Sequence, residues 1–230
     1  MATIEELEKR LNILEGESAV RKLQYAYGYY LDKCLYNDVV DLYADDGECK
    51  FMGGTYRGRA SLKRLYLDRF GQGFTGGKNR NIHGFLLDHA MMQFIIDVSP
   101  DGNTAKLRGR TMMQAGMHES IASQGGAPRA MRQWWEGGLY ENSYKKEGGV
   151  WKIWKLHYYP VFHADFETGW AKTRPDYIPL YQDKDLYPGN PGGPDEIDKN
   201  FRIWPHTDIV PFHYDNPVTG KKWKQPERLP

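Results

Sequence analysis

The chain carries seven histidines, sixteen tyrosines and seven tryptophans, a supply of proton-transfer groups and flat apolar rings. A neutral imidazole titrates near pH 6.5, so a histidine shielded from water can take a proton from carbon or a phenol and return it to a departing hydroxyl. Tyr140, Asn142 and Tyr144 alternate along one strand-like segment and share a face, while Glu141 and Ser143 share the other. If the first face lines a pocket, Asn142 offers both donor and acceptor to a substrate oxygen. Arg108 and Arg110 also share a strand face, and the planar guanidinium of Arg110 suits a phenolate or carboxylate. Trp134-Trp135 and Met112-Met113 add polarisable surface suited to aromatic ligands.

Other chemistries find less support. His157 and His163 flank Tyr158, Tyr159 and Phe162, and His83 and His89 stand six residues apart. No His-Glu-x-x-His or other compact ligand set occurs, so neither metal nor other cofactor is expected. Gly71-Gln72-Gly73 and Gly76-Gly77 are not followed by Gly-Lys-Ser/Thr and read as a loop near a pocket mouth. Cys34 and Cys49 are too few for a disulfide scaffold and lack zinc spacing.

With 31 Lys+Arg against 30 Asp+Glu the formal charge is +1, which gives little basis for attraction to nucleic acid or an anionic membrane. No run approaches the ~18 apolar residues of a membrane span. Met1–Arg10 is polar and acidic where a signal peptide needs an apolar stretch. The expectation is a soluble cytoplasmic protein with a small aromatic ligand, no nucleic-acid or membrane partner, and assembly into a dimer or trimer.

These groups need elements to position them. Ile4, Leu7, Leu11 and Leu14 recur at helical steps, Gly16 interrupts, and a second periodic segment runs from about Glu17 to Leu42, predicting a helix pair. In that second segment Leu23, Tyr27, Tyr30, Leu31 and Cys34 form an apolar stripe, with Tyr25, Tyr29 and Asp32 on an adjacent one that faces a core or pocket. The turn Ala44-Asp45-Asp46-Gly47 leads to a short strand, Cys49–Met52, and a third helix from about Arg59 to Phe70. His83–Val98 and Lys106–His118 read as one long hairpin, and Gln133–Lys146 and Val150–Phe162 as a second, separated by a Gly/Ser-rich stretch, Ser120–Arg129. The class is therefore α+β, a curved antiparallel sheet folded over N-terminal helices, over residues 1–165. Residues 166–230 hold 10 of the 13 prolines and ten aromatics, and read as an extended tail that wraps the domain or a partner subunit.

Asp32, Asp38 and Leu42-Tyr43-Ala44-Asp45-Asp46, then Arg57-Gly58, and a terminal hairpin with Tyr144-Lys145-Lys146 and Gly149-Val150-Trp151-Lys152, resemble the SnoaL-like branch of the NTF2-like superfamily. The pattern over about residues 5–165 is similar to the scytalone dehydratase-like members. The resemblance implies a cone of strongly bent sheet closed by helices, whose apolar pocket performs acid–base chemistry without a cofactor. It places His83 and His118 as the pocket histidines, Asp32 as the helix aspartate that orients an imidazole, and Tyr29 or Tyr30 as the phenol. Tyr140, Asn142, Arg110, Phe51 and Trp134 become the candidate substrate contacts. The implied activity is a lyase on a hydroxylated aromatic, losing water or formaldehyde; lyases of this fold release formaldehyde from lignin-derived diarylpropane diols. The alternatives are a polyketide-type cyclase or isomerase, a non-catalytic aromatic-ligand binder, and an oxygenase small subunit.

Overall fold

The computed structural model describes residues 2–122, 133–173 and 192–226. The Gly/Ser-rich stretch from Ser123 onward and the tail aromatics Tyr177, Tyr181 and Tyr187 lie outside those residues.

The N-terminal periodic segments form one helix, α1, from Ile4 to Asp32. It opens on a capping box: Thr3 Oγ1 accepts the Glu6 N–H, and Glu6 Oε2 accepts the Thr3 N–H at 2.8 Å. Gly16 does not break the helix. A Cβ at that position would meet Trp151 and Val98 at 3.3 Å, so the glycine lets α1 pass close over the ends of both long hairpins. A short helix α2, Tyr36–Asp41, follows.

Strand β1 spans Tyr43–Phe51 and turns into β2, Gly54–Arg57, through Met52 and Gly53, both at positive φ. The predicted Ala44–Gly47 turn lies inside β1, where the pairing register shifts between Tyr43 and Glu48. The third helix starts as α3, Gly58–Lys63, and widens into a π-helix over Arg64–Gly71. Such widened turns recur at functional sites; here it presents Tyr66, whose hydroxyl meets those of Tyr43 at 2.7 Å and Tyr27 at 3.2 Å.

The two predicted hairpins are present as β3, Phe85–Val98, with β4, Thr104–Met117, and as β5, Gln133–Glu147, with β6, Val150–Asp165. With β7, Glu196–Ile197, the seven strands among the described residues form one unclosed sheet in the order β3-β4-β5-β6-β1-β2-β7. All neighbours run antiparallel except β1 and β6. β3 bulges between Met92 and Ile95, with Gln93 at φ 55°. The helices pack on one face of this curved sheet, around buried Val20, Tyr27, Leu31, Tyr66, Leu107, Tyr144 and Leu156.

The described part of the tail crosses the opposite face. Arg108, buried there, donates to the carbonyls of Val210 and Pro211 at 3.0 Å and pairs with Glu141 at 3.0 Å, under the Phe212 ring. Asp195 accepts from the Arg57 N–H and Ser61 and pairs with Arg64.

Candidate active site

Helix α1 delivers Asp32 from its last turn to the middle of β3. Its two carboxylate oxygens lie 3.1 and 3.2 Å from the donating backbone N–H of His89, and Oδ1 lies 2.6 Å from His89 Nδ1. Both side chains are about 9% exposed. The backbone contact holds the Asp32 carboxylate at His89, and the side-chain contact holds the imidazole by its Nδ1. They assign the tautomer with hydrogen on Nδ1 and the lone pair on Nε2. No described residue bonds that nitrogen.

The sheet register extends this pair into a row. His89 on β3 is the Cα partner of Met113 on β4, Met113 of Glu136 on β5, and Glu136 of His163 on β6. All four side chains turn to the helix-covered face and are largely buried. At the ordinary strand spacing, the backbones of His89 and Glu136 stand about 10 Å apart along the row, with the buried Met113 side chain between them. His163 Nε2 lies 3.7 Å from Glu136 Oε2, and Trp134 meets the His163 ring edge-on at 6.0 Å.

One rung further on, Thr111 on β4 partners Gly138 on β5. The Tyr158 ring lies over Gly138 so closely that a Cβ there would be 2.5 Å from the phenol oxygen. The Thr111 hydroxyl and the Tyr158 hydroxyl are both buried without a well-formed hydrogen bond among the described residues. Burial raises the Tyr158 phenol well above its ordinary value, and neighbouring Glu136 and Tyr140 raise it further. Tyr140 is raised in the same way by burial and by Glu136. Both rings therefore remain neutral donors at physiological pH.

Of the residues singled out from sequence, Asp32, Tyr140 and Trp134 are buried on this inner wall, and half-buried Phe51 packs beside it. Phe51 stacks with Tyr158 at 6.1 Å, and Tyr140 packs against Tyr27 and Tyr158. Tyr30 packs half-buried against the core. Others are elsewhere. His83 is exposed in the turn before β3, and His118 is exposed beyond β4, its Nδ1 2.8 Å from Ser120 Oγ. Both sit at the rim because the inward positions of β3 and β4 begin at Phe85 and end at Met117. Tyr29 is 73% exposed, one helical position away from the inward stripe. Arg110 projects from the other face of β4, which Arg108 shares with the tail. Asn142 faces inward but is committed: its amide donates to Gln24 Oε1 and to the Tyr144 hydroxyl at 3.1 Å and accepts the His157 N–H at 2.9 Å.

Sequence reasoning passed over His89, Glu136 and His163. His89 shares parity with Phe85, Leu87 and Met91, and Glu136 with Tyr140 and Tyr144, so alternation alone puts both on the inward faces. Among the described residues no three His, Cys, Asp or Glu side chains group closely enough to hold a metal ion, and no helix is long and apolar enough to cross a membrane.

The family model of the SnoaL-like domain matches residues 12–157, well over half of the chain. The chain belongs to the SnoaL-like family, within the NTF2-like superfamily. Solved structures similar to this SnoaL-like chain include LinA, with 17% identity and a TM-score of 0.54 over 69% of this chain and 94% of that one. A hexachlorocyclohexane dehydrochlorinase of LinA type 3 from Novosphingobium barchaimii LL02 gives 18%, 0.52, 67% and 92% respectively. A provisional scytalone dehydratase from Novosphingobium aromaticivorans DSM 12444 gives 18%, 0.52, 66% and 89%. At such identities the likeness is one of fold. No curated protein matches the chain.

Proposed function

We propose that this SnoaL-like protein is a cofactor-independent lyase that acts on a hydroxylated aromatic small molecule. The observation that carries the reading is the buried Asp32–His89 pair, whose Nε2 no described residue bonds, together with a second acid–base pair, Glu136–His163, on the same inner wall. Two of the similar structures are named for eliminations, a dehydratase and a dehydrochlorinase, which supports the reaction class.

In the proposed cycle His89 Nε2 takes a proton from the substrate, and Asp32 stabilises the imidazolium that forms. The Glu136–His163 pair delivers a proton to the departing hydroxyl. When the proton taken is on carbon, the net loss is water. When it is on a terminal hydroxyl, the adjacent carbon–carbon bond breaks, formaldehyde leaves, and the electron pair displaces the protonated benzylic hydroxyl as a second leaving group. Tyr158 and Thr111 supply hydrogen bonds to a substrate oxygen, and Phe51, Trp134 and Tyr140 enclose the ring.

The test is incubation with a panel of hydroxylated aromatics, with mass analysis for loss of water, formaldehyde or both. His89→Gln and Asp32→Asn are expected to lower turnover on the order of 10²–10⁴-fold with folding intact, since the asparagine amide favours the opposite tautomer. His83→Gln and His118→Gln are expected to keep full rates. Wild-type turnover in His89→Gln would overturn the proposal, and isomerisation without fragment loss would move it to the isomerase class.

A further inference from the structure

Helix α1 is longer than the domain it serves. Its buried residues, Gly16, Val20, Gln24, Tyr27, Gly28, Leu31 and Asp32, all lie from Gly16 onward. The twelve residues Ile4–Glu15 extend about 18 Å beyond that point. Within them Ile4, Leu7, Leu11 and Leu14 are 76, 51, 55 and 61% exposed. At 100° per residue these four side chains form a stripe centred about 135° around the helix from the mean direction of the buried face. The domain therefore cannot use this stripe, and four large aliphatic side chains stand in water.

The spacing is 3-4-3, the a and d positions of two heptads, with Ile4 and Leu11 at a and Leu7 and Leu14 at d. We infer that this stripe is the seam of a parallel two-stranded coiled coil with a second copy of the chain. The flanking charges select that partner and direction. Glu8 and Glu15 occupy the e positions, and Arg10 occupies the g position between them. In a parallel pair, g of one helix faces the following e of the other, so Arg10 meets Glu15 of the second copy, twice by symmetry. An antiparallel pair would set the glutamates at e against each other. Isoleucine at the first a with leucine at d favours two strands. Two heptads are marginal as free peptides, but here the capping box and the anchored half of α1 already hold the helix.

Sedimentation of the full chain is expected to show a dimer at micromolar concentration. The double variant Leu7→Glu/Leu11→Glu should sediment as a monomer with an unchanged circular dichroism spectrum, since both residues face away from the domain core, and its melting temperature should no longer rise with protein concentration. Arg10→Glu should weaken the dimer about threefold to tenfold, and adding Glu15→Arg should restore it. A wild-type monomer or trimer, unchanged association in Leu7→Glu/Leu11→Glu, or a charge-swapped double variant weaker than Arg10→Glu alone would each overturn the inference.

Discussion

Replacing Asn142 by leucine separates architecture from ligand contact. Asn142 is 1% exposed and makes three hydrogen bonds, to Gln24, Tyr144 and the His157 N–H. The last of these lies where the β5–β6 register slips near Ser143, so the His157 N–H depends on the asparagine side chain. Leucine would orphan that N–H, at about 1–3 kcal/mol, and remove two neutral bonds worth about 0.5–1.5 kcal/mol each. The added apolar side chain returns about 1–2 kcal/mol. The net loss is about 1–4 kcal/mol, or roughly 2–16 °C in melting temperature for a domain of this size. Gln24 keeps its 2.6 Å bond from the Tyr144 hydroxyl, so the damage should stay local. Urea unfolding measures it, with an unchanged slope expected. A loss below about 1 kcal/mol, within ordinary surface-substitution scatter, would refute the idea that this amide is structural. A large change in KM with little change in stability would return Asn142 to the substrate.

Gly138→Ala should cost about 1–3 kcal/mol and displace Tyr158, because the new Cβ would sit within 2.5 Å of the ring; unfolding and near-ultraviolet circular dichroism both read this. Acid should destabilise the fold in two stages. Burial lowers the His157 imidazole below its ordinary 6.5, while Glu48, 2.7 Å away, is held below its ordinary 4.5 by His157, Lys50 and Arg57 against the opposing effect of burial. Both groups bind protons more tightly in the unfolded chain, so stability is lost first as pH falls from 6.5 through the folded His157 value, then again below 4.5. His157→Gln should flatten the upper stage in a plot of melting temperature against pH, and a profile identical to wild type would contradict it.

Both long hairpins were legible because each strand is long, alternation holds through β4 and β5 and through the first half of β3, and Ser99–Asn103 and Gly148-Gly149 supply their turns. The Gly16 interruption misled, since a glycine demanded by close packing looks the same in sequence as one that ends a helix. The inward face of β3 could have been read to His89. His163 could not: the bulge opposite Gly137 and Gly138 switches parity, so Tyr158 and His163, five apart, face the same way. Asp32 was visible as part of a helical stripe, but its partner depends on which strand crosses the end of α1, a matter of topology that spacing does not encode.

An open sheet has two borders, and each offers unpaired backbone to any extended chain that drifts past. Here the β2 border is already occupied by Glu196–Ile197, and the β3 border is kinked by its bulge at Gln93. Removing the last forty residues would therefore do more than shorten the protein. It would leave β2 as a docking rail for its own kind, and such a truncation should precipitate through that rail before it unfolds.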